Sequence, residues 1–237
     1  MFEIIPSPGT ENKNWDDIQK KIELVKPFVK TIHIDVIDGK FANNTTFAEA
    51  EPFHTYTKAL PSGSRGQSVG EEGLVFEVHL MVEDPITHLK KWADAGFQRF
   101  IGQIEKMPDQ IAFVAEAQLY GEVVLALDKE SPLDALQVPL DDLDGLLIMT
   151  IQAGFSGQTF EEALLEKVKQ ARAKSEYLPI EVDGGINDET IALAAASGAN
   201  RFVATSFLFN LETPQQQYLL LQKQLAEVSS AEKLKQE

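Results

Sequence analysis

The sequence predicts an α/β protein, a single-domain (β/α)8 barrel of the TIM type. Three observations lead there. Short apolar runs alternate with amphipathic segments along the whole chain, giving eight strand-then-helix units of roughly equal length. Several runs are continuously apolar, as strands are when helices cover one face and a packed interior the other. Polar residues of catalytic type recur where those runs end, the rim on which such barrels carry function. A doubly wound open sheet is the competing arrangement. It usually has fewer strands and often a glycine fingerprint after the first, whereas here the first loop reads Pro6-Ser7-Pro8-Gly9.

Residues 2–5 read as the first strand, stopped by that Pro-Ser-Pro-Gly turn. Ile18, Ile22 and Val25 at helical spacing predict a helix over 16–28. The second strand is 31–36, followed by a polar loop over 39–46. Residues 47–60 are expected to be helical in part, with Pro52 limiting the extent. Residues 61–73 have almost no apolar content and read as an inserted flexible loop. The third strand is 74–80 and its helix 85–95. Then come a strand at 97–104, a helix at 109–119, a strand at 122–127 and a short helix at 132–138. A strand at 145–150 leads through a glycine-containing loop to a helix at 160–174. A strand at 179–182, a helix at 188–197 and a strand at 201–204 follow. The last helix covers about 214–228, so the barrel is expected over 1–228 and an exposed tail over 229–237.

Composition narrows the function. The net charge is −16, from 37 acidic and 21 basic residues, with no basic run, which argues against a nucleic-acid partner. An anionic small substrate remains compatible, because backbone N–H groups bind phosphate without lysine. Cysteine is absent, so disulfides, thiolate metal sites and thiol nucleophiles are excluded. No stretch reaches transmembrane length, and the N-terminus lacks a signal-peptide pattern. A cytoplasmic protein with no membrane partner is the expectation. The oligomeric state stays open, with a homo-oligomer compatible.

His33 and Asp35 lie two apart on the second strand and so share a face. Alone, the pair reads equally as a buried hydrogen bond or as part of a site, since both groups are costly in an apolar strand unless partnered. His79 at the end of the third strand and Asp183 at the end of the seventh tip the balance. Two imidazoles and two carboxylates at one barrel mouth make a site for one divalent metal, zinc, iron or manganese. His54 and His88 sit in helix-like contexts and read as structural or exposed. A second constellation follows the late strands: Gly154, Ser156 and Gly157, then Gly184-Gly185, then Thr205-Ser206. Backbone N–H groups of such loops hold phosphate in barrels; the plainer reading is tight turns alone.

With these residues in view, the chain resembles the ribulose-phosphate 3-epimerase family. The resemblance rests on His33-Ile34-Asp35-Val36-Ile37-Asp38-Gly39, on Val78-His79-Leu80-Met81-Val82-Glu83-Asp84-Pro85 and on Leu147-Ile148-Met149-Thr150. It continues through the 154–158 loop and Glu181-Val182-Asp183-Gly184-Gly185-Ile186-Asn187, spanning about residues 2–210. It implies a (β/α)8 barrel that interconverts ribulose 5-phosphate and xylulose 5-phosphate, with one divalent metal on His33, Asp35, His79 and Asp183. It also implies that the two aspartates form the acid/base pair, that Ser7 contacts substrate, and that Met81 and Met149 line the pocket. Departures from the family pattern are Ile37 for a methionine, Lys40 and Gln103 for histidines, Gln152-Ala153 for Asn-Pro, and Ser156 and Thr205 for glycines; the segment 6–12 also differs. The expected chemistry is proton removal alpha to a carbonyl, with Asp35 and Asp183 on opposite faces of a planar enediolate. The expected substrate contacts are Ser7, His33, His79, Met81, Met149, Gly154, Ser156, Gly157, Gly184, Gly185, Thr205 and Ser206. Two alternatives stand beside it: an epimerase of another phosphorylated ketose such as allulose 6-phosphate, and a non-catalytic barrel that binds a sugar phosphate. A lyase or decarboxylase of this barrel type ranks low, because Asp35-Val36-Ile37-Asp38 carries no lysine.

Overall fold

A computed structural model describes residues 1–57, 73–210 and 213–236. The expected insertion at 61–73 lies outside the described residues, apart from Gly73. Eight parallel strands form one sheet: β1 (Glu3–Pro6), β2 (Thr31–Ile37), β3 (Val75–Met81), β4 (Arg99–Gln103), β5 (Glu122–Leu127), β6 (Gly145–Met149), β7 (Ile180–Asp183) and β8 (Arg201–Ala204). Each pairs with its successor from β2 to β8, and β8 pairs with β1, so the sheet curls into a nearly closed barrel. At the β1–β2 seam, side chains bridge the strands. Thr31 Oγ1 donates to Glu3 Oε1 at 2.5 Å, and Ser7 Oγ donates to Asp35 Oδ2 at 2.9 Å.

The helices are α1 (Trp15–Val25), α2 (Ile86–Asp94), α3 (Gln110–Ala117), α4 (Leu165–Lys174), α5 (Thr190–Ala196), α6 (Ser206–Phe209) and α7 (Pro214–Gln236). Asn14 starts α1 by accepting the Asp17 N–H at 3.0 Å, and Ile18, Ile22 and Val25 form its buried stripe. Among the described residues, no helix is long and apolar enough to cross a membrane.

The period-two alternation of the strands separates two apolar regions. Even-numbered β2 and β3 residues such as Ile32, Ile34, Phe76 and Val78 pack outward under the helices, while Ile37, Met81, Ile101, Val124, Leu147 and Met149 fill the barrel interior. Beneath that inner apolar layer the interior is charged. His33, Glu77, Arg99 and Glu181 are all buried there.

Two of the eight expected helices differ. After β2 the described chain has a 3-10 turn, Glu51–Thr55, with Pro52 at its start. Phe53 from this turn is fully buried, with ring centroids 5.7 Å from Phe76, 5.7 Å from Trp92 and 5.3 Å from Phe97. After β5 the expected helix at 132–138 is replaced by two 3-10 turns, Leu133–Ala135 and Leu140–Asp142, each opened by a proline (Pro132, Pro139) that supplies no N–H for a continuing ladder. Ahead of α4 a separate 3-10 turn, Glu162–Leu164, takes up the start of the helix expected from residue 160. At the C-terminus α7 continues to Gln236, past residue 228 where the expected helix ends. The short α6 directly after β8 was not expected.

Candidate active site

Strand parity places the site. His33 and Asp35 on β2, His79 on β3 and Asp183 on β7 all point into the barrel at its C-terminal end. The β2–β3 register sets Asp35 opposite His79, and the β6–β7 register sets Met149 opposite Asp183. The four side chains bring one ligand atom each within 4.8 Å of one another. His33 Nε2 lies 3.2 Å and His79 Nδ1 3.4 Å from Asp35 Oδ1, and His79 Nδ1 lies 4.0 Å from Asp183 Oδ2. The residues drawn from three distant strands therefore form one cluster.

The electrostatics are uneven. Burial works against the Asp35 carboxylate, yet the His33 charge and the hydrogen bond to His33 hold its pKa well below the usual carboxylate range. Burial pushes Asp183 up, and the neighbouring Asp35 charge pushes it further, to about 6. Burial also opposes a charge on His33, but Asp35, Glu181 and Glu77 outweigh it and hold the imidazole well above its usual value. Two carboxylates in one cluster thus differ in their hold on a proton.

The donor set fits a divalent cation. His79 Nδ1 is fully buried with no hydrogen-bond partner, and it faces two carboxylates. An imidazole lone pair against carboxylate oxygens is repulsive unless a cation sits between them. Two imidazoles with two carboxylates suit zinc, iron or manganese alike.

Above the cluster opens a cleft. Asp35 and Asp183 reach its floor, Met81, Met149 and Ile151 form an apolar wall, and the glycine loops form the far side. Gly154, Ser156, Gly157, Gly184, Gly185, Thr205 and Ser206 all line it, so the two constellations expected from the sequence meet in one cavity. Gly184 (φ +118°) lies against Ile151, where a Cβ has no room, so this turn admits only glycine. Thr205 is accommodated by its neighbour: a Cβ on Gly9 would fall 2.7 Å from Thr205 Cγ2, so the bare Gly9 makes space for that methyl.

Ser7 lies against Asp35. It is fully buried, and its hydroxyl donates to Asp35 while accepting the Gly9 N–H at 3.1 Å. His33 and His79 are likewise fully buried below the cleft.

The model of the ribulose-phosphate 3 epimerase family matches residues 8–209. The chain belongs to the ribulose-phosphate 3-epimerase family. A ribulose-phosphate 3-epimerase from Schizosaccharomyces pombe is 32% identical over 212 residues, covering 89% of each chain. Those from Candida glabrata and Bacillus subtilis are each 33% identical, covering 77% and 75% of this chain and 76% and 79% of their own. Solved structures share the fold at lower identity. The 3-keto-L-gulonate-6-phosphate decarboxylase from Vibrio cholerae superposes with a TM-score of 0.65 at 16% identity over 96% of this chain and 98% of its own. The 3-hexulose-6-phosphate synthase from Salmonella typhimurium does so with 0.66 at 12%, over 95% and 99%.

Several residues around the site were not singled out from the sequence. Glu77 and Glu181 sit two positions before His79 and Asp183, so the parity that joined His33 to Asp35 also places them inside. Glu77 Oε1 lies 2.7 Å from His33 Nδ1, and its other oxygen pairs with Arg99. That guanidinium holds Glu77 ionised against burial. Both Glu181 oxygens are buried without a hydrogen-bond partner, and burial with the Glu77 charge raises its pKa to about 7. Thr10 is the other addition. Its N–H donates to Ser156 Oγ at 3.0 Å, and the Ser156 N–H donates to Thr10 Oγ1 at 2.8 Å, joining the β1 and β6 loops across the mouth. No sequence signal pairs residues 146 apart.

Proposed function

We propose that this family member interconverts D-ribulose 5-phosphate and D-xylulose 5-phosphate by moving a proton at C3 between two carboxylates. The observation that carries the reading is the convergence of Asp35 and Asp183, from β2 and β7, on the floor of one cleft whose far side is glycine loop. His33, Asp35, His79 and Asp183 would hold one divalent ion, zinc, iron or manganese. Such an ion supplies Lewis-acid polarisation of the substrate carbonyl, which makes the neighbouring C–H acidic enough to ionise.

The chain's own residues supply the rest. The Asp35 carboxylate accepts the Ser7 hydroxyl, which aims it into the cleft. It acts as base toward one epimer. Asp183, reaching the cleft from β7, delivers a proton to the other face of the planar enediolate, and the roles reverse for the opposite epimer. Met81, Met149 and Ile151 keep water from the reacting carbon. The phosphate rests on the backbone of Gly154–Gly157, Gly184-Gly185 and Thr205-Ser206. Ser7 acts by orienting Asp35.

Asp183→Asn tests the scheme. It should lose C3 proton exchange with solvent by at least about 10²-fold, with circular dichroism unchanged. Exchange at the wild-type rate would overturn the two-carboxylate scheme. Assaying pentulose 5-phosphates against hexulose 6-phosphates in the same experiment fixes the sugar length, and a faster hexulose reaction would assign the chain to another phosphorylated ketose.

A further inference from the structure

The reach of the metal reading depends on which nitrogen of His79 is free, and the surroundings decide it. His79 Nε2 lies 2.7 Å from Gln103 Oε1, and Gln103 Nε2 lies 2.7 Å from Glu105 Oε2. Glu105 Oε1 in turn accepts the Asp128 N–H at 2.8 Å. An ionised carboxylate only accepts hydrogen bonds, so the Gln103 group facing Glu105 is the NH2. The group facing His79 is then the carbonyl oxygen, which also only accepts. His79 Nε2 therefore carries the proton, and Nδ1 is left as a lone pair pointing at Asp35 and Asp183. His79 and Gln103 are both fully buried, so no water competes for this bond.

We infer that Gln103 is a positioning residue: anchored by Glu105, it sets the His79 tautomer and ring orientation so that Nδ1 is always presented for metal binding. The inference rests on the metal-site reading above and extends it to residues that touch neither metal nor substrate. The arm is neutral where it meets His79, unlike the arm on His33, where the Glu77–Arg99 ion pair does the same work. Without Gln103 the two neutral tautomers of His79 compete, and only one offers Nδ1. Partners of this kind typically govern metal affinity by about 10–100-fold.

The test is Co²⁺ affinity of chelator-stripped full-length protein, read by competition with a chromophoric chelator, with the cobalt d–d spectrum as a report on ligand geometry. Gln103→Leu keeps the side-chain bulk and removes the acceptor; its Kd for Co²⁺ should rise by about 10–100-fold. Its epimerase turnover should return when Co²⁺ is saturating, which loss of a substrate contact would not allow. Gln103→His restores both an acceptor and a donor on one side chain, and should bind within a few-fold of wild type. Glu105 is exposed, so Glu105→Ala leaves the core intact and frees the Gln103 amide to turn; its Kd should rise several-fold. That variant carries the test if Gln103→Leu does not fold. Wild-type binding with equal Kd in Gln103→Leu or in Glu105→Ala would overturn the positioning role while leaving the metal reading intact. Wild type that takes up no Co²⁺ would overturn both.

Discussion

At the residue scale, each ionised group in the motif 33–39 is held by a different set of partners, and those partners separate chemistry from scaffolding. Asp35 is buried against two imidazoles and the Ser7 hydroxyl, at the floor of the cleft. Asp38, three residues on, points elsewhere. Its Oδ1 accepts the N–H groups of Lys40 and Phe41 at 2.8 Å each, and its Oδ2 accepts that of Glu83 at 2.9 Å, stitching the β2 loop to the β3 loop. Burial opposes the Asp38 charge, but these three backbone donors prevail and lower its pKa. A carboxyl whose folded pKa is depressed adds stability above its unfolded pKa and loses it as pH falls through the folded value. Asp38→Asn should therefore cost about 1 kcal/mol at pH 7, below the usual range for hydrogen bonds to charged groups because solvent screens this partly exposed group. The gap from wild type should begin to narrow as pH falls below about 4 and close below the depressed folded value. Denaturant melts at pH 7 and pH 3 measure this, and a gap no narrower at the lower pH would refute it. The convergence of His33, Asp35, His79 and Asp183 was legible because strand ends and parity are readable from one chain. Gln103 was legible only as a departure from a family pattern, since its meaning lies in which atom of His79 it faces.

At the scale of elements, loops carry what strands only aim. The β6 loop is held on three sides: by the reciprocal Thr10–Ser156 pair, by Asn44 Nδ2 donating to Gly154 O at 3.0 Å, and by Asp128 accepting the Ala153 N–H at 3.0 Å. Ser156, standing where the family pattern has glycine, thereby pins this loop to the β1 and β2 loops across the cleft. Ser156→Gly removes the acceptor for the Thr10 N–H and loosens one edge, worth about 1 kcal/mol of local opening. Amide exchange at residue 10 and across 154–157 should quicken by about fivefold, with the melting temperature nearly unchanged. Exchange at the wild-type rate there would show that the latch does not govern the loop. The same scale explains the elements that differ from expectation. Pro52, Pro132 and Pro139 punctuate segments whose apolar content suggested helix. In the first, Phe53 and Ala50 supply, among the described residues, the buried apolar contact that a helix face supplies elsewhere in the barrel.

At the scale of the whole molecule, the barrel interior is divided into a charged layer at the level of Glu77, Arg99 and Glu181, the His–Asp cluster, and an apolar wall around the cleft. The Asp35 charge bears on Asp183 within the middle layer, so a cation held between them should stabilise the fold. Saturation at 100 times Kd stabilises a folded protein by about 2.7 kcal/mol. For a chain of this size that corresponds to a rise in melting temperature of roughly 5–10 °C. Adding Mn²⁺ to chelator-stripped protein should produce such a rise, and His79→Ala should abolish it. An equal rise in the variant would place the ion elsewhere. The eight-strand architecture and the convergence of His33, Asp35, His79 and Asp183 at one rim follow from periodicities of two and 3.6 and from residue chemistry at strand ends, all local properties of the chain. The tertiary structure alone decided the rest: the Thr10–Ser156 latch, the placement of Ser7 under Asp35, the room Gly9 leaves for Thr205, and the Glu105–Gln103–His79 relay. These depend on where the register and stagger of strands distant in sequence bring single atoms together, and hydrogen bonds between such atoms leave no local periodic trace.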